Sequence, residues 1–369
     1  MKPLSELRVL IIGGGIGGAS AAVALKKIGI NADLFEQASE IKEVGAGIGM
    51  RATSVKFFKD WGIYDRIQSK TEVSSHIEIR TAMNHLITKE AWPVLTDNPD
   101  ENCVLLVHRA DLIDIFLNQL APENIHLNYK LEQIIDHGDY AEARFENGNS
   151  IEADLIIGAD GVRSLVRNQL FSDAPPVYSG THAYRAIVKD KEAFEFVPDN
   201  TFKVFVDFHA HIYLMPLHHR NEVSFDVTAE SSDPSWAPEV TIEEIVALLE
   251  NFDPRFKKIA ASVDHYVNRS IHDIDPLDCW HSNSVVLLGD AAHAMLHHQG
   301  HGANTAVQDS GVLAEELSKA DSIPEALQQY QARRKPITDL YQKISRKPPK
   351  PGADTIFTEI PEKMVMKKS

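Results

Sequence analysis

From Arg8 to Ile12 the chain is a short, continuous apolar run without the alternation of a half-exposed strand. Such a run predicts a strand buried on both faces of a parallel sheet. A glycine cluster follows, then Ala19 to Lys27, rich in strong helix formers and ending at Gly29, where a C′ glycine belongs. Ala32 to Glu36 predicts the next strand. This β-turn-α-β order opens a doubly wound nucleotide-binding fold. Asp154–Ile157 and Ser284–Leu288 predict further strands of the same sheet, each ending near a Gly and Asp at its carboxyl end, where open α/β sheets place ligands.

Between them the period changes. Phe202–Val206, His211–Met215 and Glu222–Val227 alternate or are rich in β-formers, and Gly, Pro and His turns separate them. They predict an antiparallel sheet in a second domain. Asn147-Gly148 predicts a hairpin turn. Thr241 with Glu244, and Ser322 with Glu325, have capping-box spacing. Pro348, Pro349 and Pro351 end helical structure, so residues 346–369 are expected to form an extended surface tail.

Composition narrows the class. A length of 369 residues exceeds one compact core, and 43% hydrophobic with 24% charged residues is ordinary globular usage. The net charge of −16 argues against nucleic acid or an anionic membrane as main partner. Cys103 and Cys279 lie far apart, so a disulfide framework is excluded and a reducing compartment is expected. With no signal-peptide pattern and no apolar run of about 20 residues, the expectation is a cytoplasmic protein without a membrane span, a monomer or homodimer.

Gly13, Gly15 and Gly18 form GxGxxG, with Ile16 and Gly17 between them. Glycine is required where main-chain N–H groups must close on a pyrophosphate, and the following helix adds unpaired donors. Glu36, 18 residues past Gly18, is placed to accept from a ribose diol and argues against a 2′-phosphate there. The fingerprint alone does not separate FAD from NAD.

Two further motifs do: Gly158-Ala159-Asp160-Gly161-Val162-Arg163-Ser164 and Gly289-Asp290-Ala291-Ala292-His293. With all three motifs present, the sequence resembles the single-component FAD-dependent aromatic hydroxylases of the para-hydroxybenzoate hydroxylase fold. The similarity is greatest to the branch with salicylate and 6-hydroxynicotinate hydroxylases, and covers roughly residues 7–340. The resemblance implies a Rossmann-like α/β FAD-binding domain (1–71, 106–175 and 276–345) with an inserted, mainly antiparallel substrate domain (72–105 and 176–275) and a C-terminal helical segment. It implies FAD as cofactor, NADH or NADPH as transient reductant, O2 as co-substrate, and hydroxylation of a small aromatic ring through a flavin C4a-hydroperoxide. A second GxGxxG is absent, in keeping with a reductant that binds without its own domain.

By the same resemblance, Asp160 buttresses the pyrophosphate, Asp290 bonds the ribityl chain, Arg109 contacts the linker and phosphates, and Arg185 stands near the flavin ring. Gly47 belongs to the flavin-wrapping loop, after which the customary Pro-Asn is Ala52-Thr53, making Arg51 a candidate for a substrate carboxylate or the nicotinamide donor. Backbone donors of Gly302, Ala303 and Asn304 head an apolar-periodic helix and suit an anionic flavin edge. His297 replaces the family's proline before His298 and Gln299. His211, Tyr213 and Met215 share one strand face by period two and are expected to face the ring, with His211 and His298 accepting a ring-hydroxyl proton. His293, His297 and His301 would share a helical face, but Gly300 and Gly302 favour a loop and only Asp290 is near, so no metal is expected. Alternatives are a flavin oxidoreductase of the same fold with other chemistry (epoxidase, ketone monooxygenase or uncoupled oxidase) and a non-catalytic FAD-binding protein.

Overall fold

The computed structural model describes residues 2–41, 46–95, 102–297 and 300–347. Its first layer is a five-stranded parallel sheet, and element labels run in chain order. The strand order is β18 (Val285–Leu287), β12 (Leu155–Gly158), β1 (Val9–Ile12), β2 (Asp33–Glu36) and β8 (Ile125–Leu127). The central strand β1 is buried throughout, as its unbroken apolar run requires. Helices α1 (Ile16–Lys27) and α10 (Gly302–Lys319) pack side by side, joined by Ser20 Oγ and Ser310 Oγ at 2.8 Å. α1 starts at Ile16, three residues earlier than helix propensity predicts. Gly17 and Gly18 weaken that propensity, but they are needed for close packing: a β-carbon on Gly18 would overlap Gly13 O. α1 ends as expected, with Gly29 at φ +90° just past its C-cap.

The helices α4 (Arg109–Leu117), α5 (Leu165–Leu170), α9 (Asp290–His293) and α11 (Ile323–Ser345) complete this layer. A small sheet of β9 (Leu131–Asp136), β10 (Ala141–Phe145) and β11 (Ser150–Ala153) includes the hairpin expected at Asn147-Gly148, with Gly148 at φ +85°. The Ser322 hydroxyl caps α11 by accepting from Glu325 N, but the Glu325 carboxylate accepts from Asp321 N, so the box is not reciprocal. At Thr241, before α7 (Ile242–Leu248), both bonds form.

The second layer is a seven-stranded sheet in the order β17 (Val267–Asp273), β13 (Val177–Val188), β16 (Glu222–Glu230), β15 (Ala210–Leu217), β14 (Phe202–Val206), β5 (His76–Thr81) and β6 (Leu86–Ala91). It is antiparallel except where β14 and β5 pair in parallel. One face, carrying Ile212, Leu214, Phe225 and Val227, packs into a core with α6 (Lys191–Phe196), α7 and α8 (Pro254–Ala261). The other face turns toward the parallel layer. Between the layers lies a three-stranded sheet absent from the sequence reading: β3 (Gly47–Arg51), β7 (Val104–His108) and β4 (Thr71–Ser74), with α2 (Ala52–Trp61) and α3 (Tyr64–Gln68) beside it. The expected domain boundaries at 72 and 105 fall within β4 and β7, strands of this shared sheet. The tail from 348 onward lies outside the described residues.

Candidate functional site

The carboxyl ends of β1 and β18 each meet the start of a helix. Gly13 adopts φ +107° and lies so close to Ala159 that a β-carbon would stand 2.5 Å from its carbonyl oxygen, so only glycine fits. Among the described residues, no atom beyond its chain neighbours lies within 4 Å of where a β-carbon on Gly15 would stand. The first backbone bond of α1 is from Ala19 N–H to Gly15 O at 2.9 Å, leaving Ile16, Gly17 and Gly18 as the first-turn donors. Glu36 stands at the end of β2, accepting from Gly14 N–H at 2.7 Å and Ala38 N–H at 2.9 Å.

The Asp160 carboxylate caps α5, accepting from Ser164 Oγ at 2.5 Å and from Leu165 N–H at 2.7 Å. It therefore shapes the turn that supports Gly13. Arg167 ties this turn to the Gly289-Asp290 motif: its guanidinium donates to Val162 O at 2.5 Å and Ala291 O at 3.0 Å. Asp290 is exposed, and its Oδ1 is 3.7 Å from where a β-carbon on Gly302 would stand. In α10 the first backbone bond is from Thr305 N–H to His301 O at 2.8 Å, so Gly302, Ala303 and Asn304 are its first-turn donors. The Asn304 side chain is fully engaged. It accepts from Arg51 N–H and Ser54 Oγ, both at 2.8 Å, and donates to Gly49 O at 2.8 Å and Gly300 O at 3.1 Å. That clamp fixes β3 against the helix. Arg109 follows β7 directly, its N–H donating to Ala46 O at 3.0 Å.

Below α9 and α10 lies a buried ionic cluster that sequence reasoning did not find. Asp309 accepts from His293 Nε2 at 2.6 Å, Arg334 Nε at 2.6 Å and Gly289 N–H at 3.1 Å. The spaced histidines have different neighbours: His293 this aspartate, His301 the ring of Tyr341 at 3.8 Å, and His297 the antiparallel sheet. His298 lies outside the described residues.

Register arranges the inward face of the large sheet as rows. Arg185, Asp226, Tyr213 and Val204 are paired across β13, β16, β15 and β14. Ala183, Thr228, His211 and Val206 form the next row, and Ile187, Ser224 and Met215 the row on the other side. The one-face reading of His211, Tyr213 and Met215 therefore holds. Met215 packs on β3: a β-carbon on Gly47 would stand 2.5 Å from its sulfur, and Gly47 N–H donates to Ser224 Oγ at 2.8 Å. His297 reaches this face, hydrogen-bonded to Thr228 Oγ1 at 3.0 Å and with its ring 6.0 Å from that of Tyr213. Arg51 Cζ lies 5.7 Å from the ring centre of Trp92.

Burial sets the charge states on this face. It pushes the Tyr213 phenol well above its ordinary range, with Asp226 adding to the effect, so Tyr213 stays neutral and a donor. It holds the His211 imidazole below its ordinary value, favouring the neutral ring. It lifts Asp226 to about 7, although Arg185 and Ser224 oppose it. Asp226 and Thr228 were missed in the sequence. The signal was there: Ser224, Asp226 and Thr228 alternate with Val223, Phe225 and Val227, a polar face opposite an apolar one.

A family model for the FAD binding domain matches residues 6–343. The chain belongs to this FAD-binding family. It is 30% identical to the aurachin C monooxygenase/isomerase of Stigmatella aurantiaca, over 88% of this chain and 84% of that protein. It is also 30% identical to the 3-hydroxybenzoate 6-hydroxylase of Polaromonas naphthalenivorans (strain CJ2), over 89% and 84% of the two chains. Among solved structures, Klebsiella pneumoniae HpxO complexed with FAD and uric acid superposes with a TM-score of 0.80 at 25% identity, over 92% of this chain and 87% of that one. This member of the family is an FAD-dependent monooxygenase.

The cradle fits such a cofactor. Among the described residues, the space over Gly15, two helix starts whose first-turn N–H groups have no backbone acceptor and the Glu36 carboxylate at the end of β2 supply what a pyrophosphate and a ribose diol need. A β-carbon at Gly13 would displace the supporting turn.

Proposed function

We propose that the protein hydroxylates a small aromatic or heteroaromatic ring, of the salicylate or hydroxypyridine-carboxylate kind, with NADH or NADPH as reductant and O2 as co-substrate. The observation that carries this reading is the polar row Arg185–Asp226–Tyr213, which His297 approaches through its ring contact with Tyr213 and its hydrogen bond to Thr228 in the adjacent row. The relatives that act on 3-hydroxybenzoate and the structural neighbour holding uric acid support a ring substrate.

FAD bound in the cradle supplies, once reduced, the electrons that activate O2 for insertion of one oxygen atom. The protein's part is to bind, orient and keep water out. Gly13, Gly15, Ile16, Gly17 and Gly18 with Glu36 hold the adenosine diphosphate end. Asp290 and the N–H groups of Gly302, Ala303 and Asn304 hold the ribityl and pyrimidine end, where helix-start donors favour negative charge. Arg109 and Arg185 add positive charge, Asp160 holds the turn beside Gly13, and Gly47 lets β3 pack against Met215 and Ser224. Met215, Tyr213 and His211 form the wall against the ring. Arg51 is placed at the head of α2 for an anionic group on substrate or reductant.

Residues 1–71, 106–175 and 276–345 thus carry the cofactor, and 72–105 with 176–275 the substrate, across a shared middle sheet. The paucity of cysteines supports a reducing, cytoplasmic setting, and the acidic net charge argues against nucleic acid or an anionic membrane as partner.

The test is direct. The purified protein is yellow, and NADH consumption rises with some members of a panel of phenols and pyridine acids, yielding a hydroxylated product. Stimulated consumption that yields only peroxide would instead identify an uncoupled oxidase. Bound flavin without turnover would identify a non-catalytic binder.

A further inference from the structure

We propose that Asp226, rather than His211, takes the proton from an acidic ring O–H or N–H of the substrate, so that only rings carrying such a group are hydroxylated. This rests on the hydroxylase reading above.

The argument starts from a contrast between two aspartates. Asp309 is well supplied, with three donors at 2.6, 2.6 and 3.1 Å, one of them a buried guanidinium. Among the described residues Asp226 receives one long bond, from Ser224 Oγ at 3.4 Å, and its Oδ2 lies 3.9 Å from Arg185 Nε, outside hydrogen-bond range. Its side chain keeps 20% exposure on the inward face of the sheet, so it is reachable rather than sealed in the core. A carboxylate offers about four acceptor sites, and an under-donated one in a desolvated wall is costly unless a ligand supplies the donor. The missing donor is a ring O–H or N–H.

The surroundings fit proton transfer. Arg185 faces Asp226 from β13 and Tyr213 faces it from β15, each in register. His211 lies next to Tyr213, with ring centres 6.4 Å apart, and His297 reaches from the segment before α10. On transfer the substrate O–H or N–H bond breaks and an Oδ–H bond forms. The electron pair stays on the ring heteroatom, enriching the ring, and the negative charge passes from Asp226 to the substrate beside Arg185. Asp226, lifted to about 7 by burial, is matched to a base working at neutral pH. His211 is one row away and is held below its ordinary value by burial, which makes it the weaker base.

The test uses the FAD-loaded enzyme, its Asp226→Asn and Arg185→Gln variants, and hydroxybenzoates and hydroxypyridines paired with their O-methyl ethers. Rates are taken per bound flavin. Two signals are followed: NADH oxidation against pH, and the ultraviolet difference spectrum that reports ionisation of the bound ring. For the wild type, kcat/KM rises through pH about 7 and then levels. Its bound ring is ionised, and the ethers are turned over at least about 100-fold more slowly. Asp226→Asn loses the pH limb and at least about 100-fold in rate, and its bound ring stays neutral. Arg185→Gln, by removing the cation that lowers Asp226, moves the limb to higher pH. An Asp226→Asn enzyme that keeps the limb, or still ionises the ring, overturns the proposal and leaves the hydroxylase reading intact. A wild type that none of the rings stimulates overturns both.

Discussion

His293 Nε2 lies 2.6 Å from Asp309 Oδ2, and both side chains are wholly buried. Arg334 Nε approaches the other oxygen at 2.6 Å, and Gly289 N–H completes the set. Burial would raise the Asp309 carboxyl, but His293 and Arg334 hold it below its ordinary value. Replacing it by the isosteric amide leaves the Arg334 guanidinium buried without its counter-charge. Asp309→Asn is expected to lose about 3–5 kcal/mol of stability in urea unfolding. A loss below about 1 kcal/mol would show that the cluster is not a stability element.

Asp226 predicts a pH dependence of stability. Its folded-state value of about 7 lies above the roughly 3.9 of an unfolded chain, so the folded state binds this proton more tightly. Its contribution to stability is complete below about pH 4 and lost as pH rises through about 7. Relative to wild type, Asp226→Asn should gain on the order of 2–3 kcal/mol between pH 5 and pH 8. Parallel unfolding curves for the two proteins across that range would contradict it.

Gly47 is limited by space rather than by backbone angle. A β-carbon there would stand 2.5 Å from Met215 Sδ and 3.0 Å from Ser224 Cβ. Gly47→Ala should cost about 1–3 kcal/mol through overpacking. Adding Met215→Ala should recover part of that loss, because the clash is chiefly with a flexible side chain. Thermal unfolding of the single and double variants reads the coupling.

Glu36 shapes the glycine turn through Gly14 and Ala38. Glu36→Ala removes a charged acceptor from both amides and from an incoming ribose. FAD affinity should fall about 10- to 100-fold, as measured by quenching of flavin fluorescence on titration. An unchanged affinity would place the adenosine end elsewhere.

The parallel layer was legible because its strands are continuous apolar runs that end at glycines, a pattern set by burial on both faces. The middle sheet was not. Gly47–Arg51 holds two glycines in five residues, which hides a strand, and its partners come from distant stretches, Thr71–Ser74 and Val104–His108. In the site, the glycine loop and the alternation of His211, Tyr213 and Met215 could be read directly. The roles of Asp226 and Asp309 could not, because they depend on Arg185 and Arg334, which only strand register and helix packing bring near.

The cross-strand rows of the large sheet have a consequence for how the enzyme can change. Each cleft-facing side chain alternates with one anchored among α6, α7 and α8, so a one-residue slip of any strand would invert both sets together. The helical backing therefore locks the wall as a fixed lattice. Single exchanges at His211, Tyr213 or Thr228 can retune which molecules are accepted while the scaffold stays the same.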